Sequence, residues 1–147
     1  MNAMAKNVMS VGSVADASLL AELERGLIEH AREAGIGPPG KRPLTVALRD
    51  DRGTLIGGLI GETSWGWLFV KLLWVAKGCR GSGHGVALLG RAEREAIDRG
   101  CHGVYLDTFD FQARGFYEKL GYQVFGSIPN YPGNHSRFYL AKVLNAL

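Results

Sequence analysis

Trp67-Leu68-Phe69-Val70-Lys71-Leu72-Leu73-Trp74-Val75, followed after four residues by Arg80-Gly81-Ser82-Gly83-His84-Gly85-Val86, is the stretch that decides the fold. The first nine residues are almost continuously apolar and β-favouring, the pattern of a strand covered on both faces in the middle of a sheet. Interrupted by Lys71, the run is far shorter than the ~20 residues that cross a bilayer, so it reads as a strand and not an anchor. Five glycines then fall between Gly78 and Gly90, and Val86, Leu89, Ala92 and Ala96 recur at helical spacing until Gly100. A glycine-dense turn from strand into helix lets backbone N–H groups approach a ligand, and the helix N-terminus favours phosphate oxygens. The pattern points to a phosphate-bearing ligand, with a merely tight connection as the alternative.

Towards the N-terminus, Leu44, Val46 and Leu48 alternate with more polar neighbours, Asp50 to Gly53 supply turn chemistry, and Thr54 to Thr63 is again extended, which makes a hairpin. Farther back, Leu20, Leu23, Leu27, Ala31 and Ala34 mark one helix face, with Asp16 or Ser18 as cap and the Gly- and Pro-rich residues 35–40 as terminator. A short strand is expected around Val8 to Val11. Towards the C-terminus come a strand, Val104 to Phe109, a short helix through Ala113, Phe116, Tyr117 and Leu120, and Gly121 as its left-handed cap. Tyr122 to Ile128 and Ser136 to Val143 are the last strands, joined through residues 129–135. Strands first and a β-α-β unit in the middle give a mixed α/β (α+β) fold, a mostly antiparallel central sheet with flanking helices.

The 147 residues suit one domain, 1–147. Apolar residues at 46% and charged residues at 21% match an ordinary globular chain, so a core forms and disorder is not expected. The net charge of +3 is mild and spread along the chain, which suits an anionic small ligand and gives no Lys/Arg stripe for nucleic acid. The first ten residues hold no signal-like apolar run, and Cys79 and Cys101 lack zinc or disulfide spacing. The expectation is a cytoplasmic protein with no bound metal and no membrane partner.

Two phosphate-binding templates fail. Gly78 and Gly83 have P-loop separation, but His84 stands where lysine must be and Gly85 replaces the hydroxyl residue. Gly81 and Gly83 fit the dinucleotide fingerprint, yet Val86 takes the third glycine position. The pattern Arg-x-x-Gly-x-Gly, here Arg80, Gly83 and Gly85, instead resembles the acetyl-coenzyme A motif of the GCN5-related N-acetyltransferases. A second block, Gln112 through Tyr122 with Ala113, Phe116-Tyr117 and Gly121-Tyr122, is similar to the late helix and turn of the same family. The resemblance covers about residues 43 to 143.

The resemblance implies transfer of an acetyl group from acetyl-CoA to a primary amine of a small molecule or peptide, by direct attack. In such enzymes a bulged strand before the glycine loop turns backbone amides to the thioester, the place matched by Leu73, Trp74 and Val75, where they would stabilise an oxyanion. Arg80, Gly81, Ser82, Gly83, His84, Gly85 and Val86 would wrap the pyrophosphate. Gln112, Phe116 and Phe111 would pack along the cofactor. Tyr117 stands where the family places a tyrosine beside the sulfur, and a phenol, protonated at neutral pH, can serve there as general acid. For the base, Glu62, Asp107 and Asp110 sit at or near strand ends, with Glu62 as the chosen candidate. Trp65, Trp67 and Tyr131 are expected to line the acceptor pocket at one end of the sheet. A covalent cysteine route lacks a histidine partner for either thiol. A homodimer is compatible with the family, and the rival functions are a non-catalytic acyl-CoA sensor and a nucleotide-binding domain of another fold.

Overall fold

Asp16 opens the first regular element by accepting a hydrogen bond from Ser18 N at 2.8 Å, in the computed structural model, which describes residues 6–144. The chain falls into two compact units, one up to Pro39 and one from Gly40 onward. In the first, α1 (Ala17–Glu33) ends where Gly35 takes φ +79° and Ile36 N–H reaches back to Ala31 O. The anticipated face of Leu20, Leu23 and Leu27 is there, but no residue of α1 is buried and Leu27 is 68% exposed. The strand expected at Val8 to Val11 does not form: these residues lie in irregular chain, Val8 93% exposed, and the first unit holds no described strand with which they could make a ladder.

The second unit holds β1 (Arg42–Arg49), β2 (Leu55–Ser64), β3 (Trp67–Val75), a short 3₁₀ turn (Lys77–Cys79), α2 (His84–Asp98), β4 (Gly103–Phe109), α3 (Arg114–Lys119), β5 (Gln123–Ile128) and β6 (Arg137–Val143). They form a six-stranded sheet of order β1-β2-β3-β4-β6-β5, antiparallel throughout except for the β3–β4 pair. The fold is therefore the mixed, mostly antiparallel α+β sheet that the sequence implies. Leu59, Leu68, Val70, Val104, Leu106 and Leu140 alternate onto one face and pack with Leu89, Ala92 and Ala96 of α2. Polar anchors fix α2 on that face. Beyond its C-terminus, Arg99 Nη1 donates to Pro43 O at 3.1 Å and Thr63 Oγ1 at 3.2 Å, and Glu93 accepts from Tyr122 Oη and Lys142 Nζ.

The sheet has two irregularities. Between β2 and β3 the register passes from Ile60↔Leu72 to Gly61↔Val70, so Lys71 is an unpaired, bulged residue. Gly61 permits this close approach, since a Cβ there would lie 2.5 Å from Phe69 O. The parallel β3–β4 ladder is also short, running only from Trp67↔Gly103 to Val70↔Leu106. Beyond it β3 continues on β2 and β4 continues on β6, so the sheet divides at its middle.

Candidate active site

The opening between β3 and β4 leaves one edge of each strand unpaired. Ala76 N–H bonds Ile56 O, and alternation back along β3 then turns the backbone groups of Trp74 and Leu72 towards β2 and those of Leu73 and Val75 into the opening. Arg80 Nε donating to Val75 O at 3.0 Å agrees with this and ties the glycine turn to the strand end. Gly81 and Gly83 take φ +85° and +83°, conformations that cost other residues 1–2 kcal/mol by order of magnitude. Gly83 is the N-cap of α2 and offers no side chain, so the first N–H groups of that helix have no capping partner.

A cavity of about 460 Å³ lies here, lined by Leu73, Trp74, Val75, Cys79, Arg80, Gly81, Gly83, His84, Gly85, Val86, Ala113, Phe116 and Tyr117. The close fit of α3 against the first turn of α2 depends on Gly85, where a Cβ would meet the Phe116 ring at 3.2 Å. A second cavity, about 730 Å³, shares Leu73, Trp74, Val75, Arg80, Ala113 and Tyr117 with the first and adds Phe69, Lys71, Leu72, Asp107, Thr108, Phe109, Phe111, Gln112 and Arg137. Tyr117 thus stands where the two meet. It is 7% exposed, and burial first, then the charge of Asp107, pushes its pKa up to about 12. No buried side-chain polar atom among the described residues lacks a partner, and the Tyr117 hydroxyl has none, so the hydroxyl opens onto cavity space.

Most of the residues expected from the sequence come together, but some do not. Ser82 is in the loop without lining either cavity, and Gln112 lines the second, its Oε1 near Phe109 N and Thr108 Oγ1. Glu62 lies on β2, opposite Phe69, with its carboxylate 3.6 Å from Lys71 Nζ, and lines neither cavity. Asp107 does line the second cavity, and its Oδ2 receives two N–H groups of Arg137, each at 2.8 Å. Trp65 and Trp67 are at the wrong end. Parallel pairing puts the start of β3 beside the start of β4, so Trp67 packs on His102 and Tyr105, and Gly66 O accepts from His102 N. Tyr131 is at the opposite end, where β4 finishes and β6 begins, its hydroxyl bonded to Arg137. Lys71, Phe69 and Arg137 were not among the expected residues. The bulge exposes the first, and the Arg137–Asp107 pair depends on β4–β6 register across 30 residues, for which no local pattern exists.

Comparison with known proteins supplies the family. Residues 19–122 match the acetyltransferase (GNAT) family. The chain belongs to that family. It is 48% identical over 107 residues to a blasticidin-S acetyltransferase of Streptomyces morookaense, covering 70% of this chain and 79% of the relative. It is 37% identical over 132 residues to an acetyltransferase of Agrobacterium fabrum, covering 90% and 96%. Among solved structures, an acetyltransferase from Agrobacterium tumefaciens superposes with TM-score 0.83 at 35% identity, covering 94% of this chain and all of that one. The protein is an acetyltransferase, and acetyl-CoA is its co-substrate. The uncapped amides of the α2 N-terminus and the side-chain-free turn at Gly81 and Gly83 suit the diphosphate of that molecule. Among the described residues, no helix is long and apolar enough to cross a membrane, and no group of three or more His, Cys, Asp or Glu is placed to hold a metal.

Proposed function

We propose that the protein acetylates a primary amine of a small molecule, with acetyl-CoA in the cavity beside the glycine turn and the acceptor in the cavity lined by Asp107 and Phe111. The observation that carries this reading is Tyr117, shared by both cavities with its hydroxyl open to them. The name of the Streptomyces relative, blasticidin-S acetyltransferase, supports a small-molecule acceptor.

The reaction joins the neutral amine nitrogen to the thioester carbonyl carbon while the carbon–sulfur bond breaks; the nitrogen gives up a proton to solvent and the sulfur takes one up and leaves as free thiol. Charge developing on the carbonyl oxygen is met by outward-facing backbone of Leu73 and Val75 on β3, an oxyanion-hole arrangement that needs no reorganisation. Asp107 is the carboxylate lining the acceptor cavity; Arg137 holds its Oδ2, and its Oδ1 accepts a hydrogen bond from the acceptor amine. Tyr117 supports departure of the sulfur as general acid. With its pKa near 12 the phenol stays protonated over the working range and acts by donating a hydrogen bond as negative charge grows on sulfur. Holding amine and thioester side by side supplies much of the rest.

The test measures release of free thiol from acetyl-CoA by the purified protein, with blasticidin S and a panel of small primary amines as acceptors. Amine-dependent release with a mass gain of one acetyl group on the acceptor is the expected result. Stabilisation by acetyl-CoA with no release for any amine would replace the enzyme reading by that of an acyl-CoA sensor.

A further inference from the structure

Asp107 meets the acceptor with one oxygen, and the groups that decide which one stand beside and behind it. Register sets Asp107 opposite Tyr139 and Phe109 opposite Arg137, so the Arg137 side chain reaches diagonally across the β4–β6 pair to the carboxylate. Its Nε and Nη2 both converge on Oδ2, each at 2.8 Å. A guanidinium paired fork to fork would occupy both oxygens; this end-on pose leaves Oδ1 for the acceptor. The other edge of the guanidinium holds the pose. Nη1 donates to Tyr131 Oη at 2.9 Å. The guanidinium carbon also lies 5.0 Å from the ring centre of Tyr131, 5.2 Å from that of Tyr139 and 5.7 Å from that of Phe109, so three aromatic rings surround the cation.

Arg137 lines the acceptor cavity, whereas Tyr131 lines neither cavity and belongs to the loop between β5 and β6. That loop is pinned to the end of the strand that carries Asp107. Tyr131 N–H donates to His135 O at 2.8 Å, and His135 N–H to Pro132 O at 2.9 Å. Asp110, the residue after β4, accepts from Ser136 N at 3.0 Å and holds His135 Nδ1 at 2.8 Å. We propose that Arg137 and Tyr131 are positioning residues for the acceptor. Tyr131 fixes the guanidinium, and the guanidinium fixes the rotation of the Asp107 carboxylate so that Oδ1 meets the amine. The proposal rests on the acetyltransfer reading of the two cavities. Its consequence is that acceptor binding is set from a loop outside the lining of the acetyl-CoA cavity, so a change there separates the two substrates.

The experiment is steady-state kinetics of the intact protein with acetyl-CoA and blasticidin S, or the best primary amine of the panel. Tyr131→Phe removes one hydroxyl from a side chain that is 41% exposed and keeps its ring beneath the guanidinium. It is expected to raise KM for the amine about tenfold and to leave KM for acetyl-CoA unchanged. Arg137→Met is expected to lower kcat/KM for the amine by ~10²-fold, again with acetyl-CoA binding intact. Adding Tyr131→Phe to Arg137→Met should then cost nothing further, since the hydroxyl acts only through the guanidinium. Arg137→Lys, which keeps a cation beside Asp107 but cannot bridge it to Tyr131, replaces Arg137→Met in this cycle if the latter does not fold. Unaltered amine kinetics in Tyr131→Phe, equal losses for both substrates, or additive effects in the double variant would each overturn the assignment. If the wild type acetylates no amine at all, the fault lies with the acetyltransfer reading, and this shows before any variant is made.

Discussion

Tyr117 combines two properties that a protein seldom gives one side chain: near-complete burial and a hydroxyl without a fixed partner. Removing that hydroxyl therefore breaks no hydrogen bond of the folded state. Tyr117→Phe is expected to reduce kcat by ~10²-fold or more while melting temperature and acetyl-CoA affinity stay close to wild type, as read by steady-state kinetics and calorimetry. Its ionisation matters for stability at high pH. The folded pKa of about 12 exceeds the ordinary value of 10, so above pH 10 the unfolded chain binds fewer protons than the native one. The stabilisation is complete below pH 10 and is lost as pH rises through 12. Tyr122, held neutral by burial and by Glu93, shifts in the same direction. Melting temperature should fall across this window, and the fall should be shallower in Tyr117→Phe.

At the scale of elements, the turn into α2 and the anchor beyond its end serve different ends. Gly83 holds φ +83° at the N-cap, where a β-branched side chain is strongly disfavoured. Gly83→Val should raise the acetyl-CoA Kd at least tenfold, a change of about 1.4 kcal/mol measurable by titration calorimetry, with the fold retained. Arg99, by contrast, ties α2 to β1 and β2 far from either cavity lining. Arg99→Met should cost about 1–3 kcal/mol in denaturant unfolding and leave kcat/KM unaltered. The strands, α2 and the glycine turn were legible in the sequence, because periodicity and glycine density are local signals. The fate of Val8 to Val11 was not, since extended character makes a strand only where a neighbour exists to pair with. Trp65 and Trp67 were misplaced because the parallel sense of β3 and β4 decides which loops share an end, and alternation within one strand does not report it. The same limit hid the Arg137–Asp107 pair and the contact of His135 with Asp110, each joining residues that only the β4–β6 register brings together.

On the scale of the sheet-bearing unit, two well-paired halves meet along four rungs. One half, β1 to β3 with the glycine turn, supplies Leu73, Val75 and the α2 N-terminus; the other, β4 to β6 with α3, supplies Phe116, Tyr117 and Asp107. A molecule that reaches both halves acts on the join itself, whereas a molecule confined to one does not. Intact acetyl-CoA should then raise the melting temperature by more than the sum of the rises produced by its nucleotide diphosphate portion and by acetyl-pantetheine, each at the same concentration. Thermal shifts of the same protein sample under the three conditions check this, and simple additivity would mean that the join is already rigid. With acetyl-CoA placed as proposed, the co-substrate would be a clasp: where the strands stop holding hands, the molecule to be consumed would take over, and each turnover would unfasten what it had closed.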